Sequence, residues 1–137
     1  MADFNKIGLI TLKNDAFLLC RKNHFTSRLI LPGGRIEKNE DAMTCLAREL
    51  REELGEVTAF NLQQIGTYQD SAHSDDPSVV KTLKIELFSG ELKGDPKPCS
   101  EIIELVWFGR HSDPNELTPI LKNKILPDLI RKKILNW

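Results

Sequence analysis

The sequence predicts an α/β fold, a mixed β-sheet with helices on both faces, and two observations carry that expectation. Short apolar runs lie both before and after one amphipathic stretch, Asp41 to Leu54, and a second helical period closes the chain. With 137 residues, 40% hydrophobic and 28% charged, the chain is large enough for a real core, and one domain over residues 1–137 is expected. No internal repeat or low-complexity tract is evident.

The elements follow in order. Residues 6–12 and 16–21 are apolar runs joined by Lys13-Asn14-Asp15, the signature of a hairpin. After the loop Asn23 to Arg28, the run Leu29-Ile30-Leu31 meets Pro32-Gly33-Gly34. Paired glycines let the backbone turn sharply and leave its carbonyls and amides uncovered. Asp41 can cap a helix that runs to Leu54, and Gly55 supplies the left-handed residue that ends it. At about 100° per residue, Met43, Leu46, Ala47, Leu50 and Leu54 share one apolar stripe that should face a core. Residues 58–68 and 79–92 read as strands of a second hairpin, with the turn-rich stretch 70–78 as its polar tip. Residues 94–100 contain two prolines and a glycine and cannot be regular, so the next strand is 101–108. Thr118-Pro119 opens the closing helix, where Leu121, Ile125, Leu129, Ile130 and Ile134 recur at helical spacing. Pro127 implies a kink there, or two short helices.

The chemistry concentrates in the first helix. Glu49, Glu52 and Glu53 stand at i, i+3 and i+4, so their carboxylates crowd a face beside the apolar stripe. Like charges at this spacing cost a helix ~0.2–0.5 kcal/mol per pair. A hard cation, Mg²⁺ or Mn²⁺, would turn that repulsion into chelation, and a bare carbonyl at Gly34 could join its shell. Arg48 is close enough to hold a carboxylate in place through a charge-assisted bond, an orienting role.

Gly34, five residues, Glu40, seven residues, then Arg48-Glu49-Leu50-Arg51-Glu52-Glu53-Leu54-Gly55 resembles the Nudix box of the MutT-like hydrolases, here residues 34–56. One position departs from the pattern, because Glu56 stands where an apolar residue is expected and Val57 follows one step later. The resemblance implies the Nudix α/β/α sandwich and Mg²⁺-dependent hydrolysis of a nucleoside diphosphate linked to another group X, cut at its pyrophosphate bridge. Glu52 and Glu53 would hold Mg²⁺, with Mn²⁺ as the substitute. Glu49 would either complete the shell or take a proton from the attacking water, and Glu40 would support Arg48 or the helix start. In MutT-like proteins a basic residue at the end of the second strand can touch substrate phosphate, which makes Arg21 a candidate. An acid just ahead of the strand ending Trp107-Phe108 resembles one further metal ligand, with Glu101 the candidate and Glu104 the fallback. Phe25 could stack on a base.

Substrate identity is reached by elimination. The places where dinucleoside polyphosphate and ADP-ribose hydrolases carry tyrosine and proline hold Ala72 and Ser71, and the NADH-type and coenzyme A-type signatures are absent. A nucleoside triphosphate, oxidised forms included, is the leading expectation. The alternative is a Nudix-fold module that binds or senses a nucleotide without cleaving it, although such modules would be expected to lose box carboxylates. A plain structural helix with solvated glutamates is the second rival.

Composition narrows the partners. A formal net charge of −1 gives no long-range attraction for a polyanion, so bulk nucleic acid is not implied and a phosphate substrate needs local basic groups and metal. The first six residues lack a basic and apolar leader pattern, no run approaches membrane-spanning length, and a cytoplasmic protein is expected. Oligomeric state is left open, a homodimer included. Cys20, Cys45 and Cys99 fit neither a zinc site nor a disulfide framework and are expected as buried or half-buried thiols. His73, Asp75 and Asp76 could supply an acid, base or metal contact from the hairpin tip, and Arg131-Lys132-Lys133 reads as a solvated face.

Overall fold

Two strands buried on both faces, β1 (Phe4–Ile10) and β3 (Ala16–Lys22), organise the computed structural model, which describes residues 2–137. Side chains alternate across a strand, so an unbroken apolar run serves two cores at once. Ile7 and Leu9 of β1 and Leu18 and Cys20 of β3 enter one cluster. Ile10, Phe17 and Leu19 enter the other. The first cluster is closed by α1 (Ala42–Leu54) through Cys45, Leu46, Leu50 and Leu54. The second is closed by the C-terminal helical segment through Ile120, Leu121, Ile125, Leu126 and Leu129. Full burial of each leucine or isoleucine stabilises by roughly 1.5–3 kcal/mol. Helices thus cover both faces, as the sequence implied.

The strands form two sheets. With β4 (Gly33–Arg35), β5 (Thr58–Ala72) and β6 (Lys81–Lys93), the first has the order β4-β1-β6-β5 and is mixed, β1 running parallel to β6. The second, β2-β3-β7, is antiparallel, with β2 at Leu12–Lys13 and β7 at Ile102–Phe108. The expected first hairpin is therefore corrected: only β2 pairs with β3, while β1 joins the other sheet. The chain changes sheets at buried Thr11, whose carbonyl accepts from the Leu18 N–H at 3.2 Å.

Three further expectations shift. β5 continues through Asp70 to Ala72, so the polar tip is narrower than 70–78. Met43 and Ala47 are exposed, because the buried face of α1 is turned toward Cys45, Leu46, Leu50, Glu53 and Leu54. The closing helix begins at Pro119 but runs through a π turn at Leu121–Ile125 before α2 (Leu126–Arg131), where Pro127 falls in the first turn and needs no N–H donor. Asp128 binds it to β5 by accepting from the Tyr68 hydroxyl, and Lys132, paired with Asp128 at 3.0 Å, donates to the Ile65 carbonyl of β5 at 2.8 Å. Cys20 and Cys45 are buried free thiols and Cys99 is half-buried. Among the described residues no helix is long and apolar enough to cross a membrane.

Candidate active site

The box begins where β4 lies antiparallel to β1, Gly33 opposite Gly8 and Gly34 opposite Ile7. Gly33 has φ +138°, and a Cβ there would fall 2.0 Å from the Ile7 carbonyl oxygen, so only glycine fits. Its N–H donates to Glu53 Oε1 at 2.8 Å. That bond lets Glu53 sit only 7% exposed on the core-facing side of α1. A Cβ on Gly34 would lie 2.2 Å from the Glu49 carboxyl carbon, so the bare backbone is the seat of that carboxylate.

α1 is set by its ends. Asp41 caps it by accepting from the Thr44 N–H at 2.8 Å, and Gly55, φ +86°, donates its own N–H to the Arg51 carbonyl at 3.1 Å. Arg48 is the hub between helix and loop. Its Nε and Nη2 hold both Glu40 oxygens, at 2.7 and 2.9 Å, and its Nη1 reaches Glu49 Oε1 at 2.9 Å and Glu52 Oε1 at 3.5 Å. Arg48 lowers the Glu40 carboxyl to about 2, helped by the Glu37 N–H. Glu40 itself accepts from Glu37 N, which closes the loop onto the helix.

Burial moves the other acids the opposite way. Glu53 is pushed up to about 7 by desolvation, only partly offset by the Gly33 amide and Lys22. Desolvation also raises Glu49 against the pull of Arg48. Lys6, on the facing strand, is pulled down to about 8 by burial and by Lys22.

Glu49, Glu53 and Lys6 line a cleft of about 720 Å³. Glu37, Glu52, Lys22, Arg35 and Arg48 line it with them, so acids and bases share its surface. A smaller slot of about 60 Å³ adjoins it, between β6 and the C-terminal helix, with Leu83, Ile85, Ile120 and Leu121 in its lining. Phe4, Lys6, Lys22, Phe25, Gly33 and Gly34 border both cavities.

Of the residues singled out from the sequence, Gly34, Arg48, Glu49, Glu52, Glu53, Glu101 and Phe25 all border the cleft. Glu101 is exposed on its rim, 3.7 Å from His24 Nε2. Phe25 packs edge-on against Phe4 at 6.2 Å. Arg21 is not brought there. Its guanidinium is taken by Glu104 at 2.8 Å, Glu116 at 2.7 Å and the Ser27 carbonyl, and the next residue, Lys22, enters the cleft instead. Consecutive strand residues face opposite ways, so a one-residue misassignment exchanges the two roles. Glu104, the fallback ligand, is engaged by Arg21.

The expected sharing of one cation is also not preformed. Among the described residues no group of three or more His, Cys, Asp or Glu side chains is arranged to hold a metal ion. The reason lies in the partners: Arg48 Nη1 stands between Glu49 and Glu52, and Glu53 is bound to the Gly33 amide. The donor set nevertheless fits a hard divalent cation, since it consists of oxygens on one cleft wall and includes two carboxyls whose acidity burial has weakened.

Lys6, Lys22, Arg35 and His24 were not found from the sequence. A signal for Lys6 exists: alternation along β1 places it with Phe4, Gly8 and Ile10, one charge on an otherwise apolar face.

Comparison with known proteins agrees with this fold. The model of the NUDIX domain matches residues 5–129. A NUDIX hydrolase from Nitrosomonas europaea superimposes with a TM-score of 0.74 at 20% identity, covering 95% of this chain and 90% of that one. A MutT NUDIX hydrolase from Burkholderia pseudomallei gives a TM-score of 0.70 at 20% identity, with 84% and 89% covered. The MutT protein of Methanosarcina mazei Go1 gives 0.69 at 19% identity, with 95% of each chain covered. No curated protein matches the chain.

Proposed function

The chain belongs to the Nudix family and is a hydrolase of phosphoric anhydrides, and on that premise we propose that it is a cytoplasmic, single-domain, Mg²⁺-dependent pyrophosphohydrolase of nucleoside diphosphates linked to X. A nucleoside triphosphate, oxidised forms included, is the leading substrate, and Mn²⁺ is the substitute ion. The observation that carries this reading is the placement of Glu49, Glu52 and Glu53 on one wall of a cleft beside the bare Gly33-Gly34 backbone.

In this reading Glu52, Glu53, the Gly34 carbonyl and Glu101 at the rim would hold the ion. When bound, such a cation neutralises phosphate oxygens and makes water more acidic. Arg48 fixes Glu49 through Oε1 and leaves Oε2 free. As water oxygen bonds to phosphorus and the bridging oxygen departs with its electron pair, Glu49 Oε2 receives the proton of that water. Burial supports the role, because a weakened carboxylic acid is a stronger base. Lys22 supplies positive charge to the phosphates, and Phe25 offers a face for a base.

A module that binds without cleaving would be expected to lack box carboxylates, and all of them are present. Glu53→Gln is the test. Its release of nucleoside monophosphate from a nucleotide panel with Mg²⁺ should fall by more than roughly 100-fold, a ligand costing more than the supporting partners usually do. Wild-type rates in that variant, or no release by the wild type with either ion, would overturn the hydrolytic role of this centre.

A further inference from the structure

Lys6 occupies the neck between the two cavities. It borders the acidic cleft on one side and the small slot on the other, together with Lys22 and the Gly33-Gly34 strand. In the parallel register it faces Ile85, which lines the slot, and in the antiparallel one Arg35, which lines the cleft. Its Nζ lies 5.6 Å from the centroid of the Phe4 ring, and the Arg35 guanidinium carbon lies 4.6 Å from the same ring. Among the described residues, Lys6, Lys22 and Arg35 form no ion pair, whereas Arg21 and Arg48 form several.

The slot beyond the neck has no Asp, Glu, Asn or Gln in its lining. Its polar side chains are hydroxyls at Thr26 and Thr118, His73, and the two lysines at the neck. Glu53 and Glu49 act on the Lys6 amine only from beyond ion-pairing distance, so in its partly desolvated neck it favours an anion from outside, and water there screens the attraction poorly. The acids of α1 line the adjoining cleft, where they suit a cation. A molecule bound along both cavities would therefore point its organic group toward the slot, with an anion at the neck and the remaining phosphates toward α1.

We propose that Lys6, with Lys22 beside it, binds the phosphate that joins the anhydride to its organic group, and so selects substrates with an anion at that junction. The assignment rests on the pyrophosphohydrolase reading above, and Lys6 is on this basis a substrate-binding residue. Its stem also covers apolar surface, so the charge has to be tested apart from the packing.

Calorimetry in EDTA, where no turnover occurs, separates the two. Each of the four deoxynucleoside 5′-monophosphates is compared with its parent nucleoside on wild type, Lys6→Met and Lys6→Arg. Wild type should bind at least one monophosphate roughly tenfold or more tighter than the nucleoside, as expected for a hydrogen bond between charged groups. That ratio should fall toward one in Lys6→Met and persist in Lys6→Arg, with unchanged melting temperatures. A ratio preserved in Lys6→Met, or absent from wild type, overturns the proposal, and loss in Lys6→Arg as well assigns the effect to packing and overturns it too. Failure of the hydrolytic reading shows separately, as absent release of nucleoside monophosphate by wild type with Mg²⁺ or Mn²⁺.

Discussion

The two helical layers do opposite work with similar material. α1 is capped at both ends, regular along its length, and turns Glu53 toward the core, where a main-chain amide receives it. The C-terminal segment has no side-chain cap at its π turn or at α2, absorbs a proline, and buries only apolar side chains. α1 therefore uses its local stabilisation to hold charge in a fixed place, whereas the closing segment is held by what it covers. Helix regularity accordingly tracks what each layer must hold. Placing carboxylates requires a straight, anchored helix, while covering a sheet tolerates a bulged one.

Breaking the seat of the carboxylates should have the largest effect. Gly34→Ala drives a methyl into the Glu49 carboxyl group, and misplacement of about 1 Å at a reacting centre costs ~100-fold. We expect kcat on the nucleotide panel to fall by at least that much, and a variant as active as wild type would remove Gly34 as the seat. On the other layer, Leu129→Ala should cost about 2–5 kcal/mol in denaturant unfolding while leaving kcat within about threefold. A large loss of kcat in the folded variant would show that the closing segment shapes catalysis and is not merely cover.

The smallest effect concerns how that segment is tied down. Tyr68, Lys132 and Arg131 lower the Asp128 carboxyl to about 2 from an ordinary 3.8, and Tyr68 is its largest influence. A lowered carboxyl stabilises the fold above its unfolded pKa, and that contribution is lost as pH falls through the folded value. Asp128→Asn should melt a few degrees below wild type at pH 7, with the gap constant down to about 4 and closing toward 2. A gap independent of pH across that window would assign the difference to packing.

Much of the α1 side was legible in the sequence. Asp41, Gly55, the paired glycines and the Arg48-Glu40 pairing are signals confined to a few neighbouring residues, where capping, turn and helix-face geometry decide. What escaped depends on partners far along the chain. The parallel register of β1 with β6 spans about 80 residues, so the local hairpin pattern of residues 6–21 was the stronger cue and misled for β1. Arg21 and Lys22 cannot be ranked without knowing that Glu104 and Glu116 arrive beside β3. Met43 and Ala47 looked buried because a hydropathy stripe takes Glu53 for a surface residue.

The anchor of Glu53 belongs to the main chain. No exchange of side chains, short of a proline at residue 33, can delete the amide that holds it. Its position is thus inherited from the course of the backbone past β1, and the residues around the cleft are free to be re-tailored for other molecules without dislodging it.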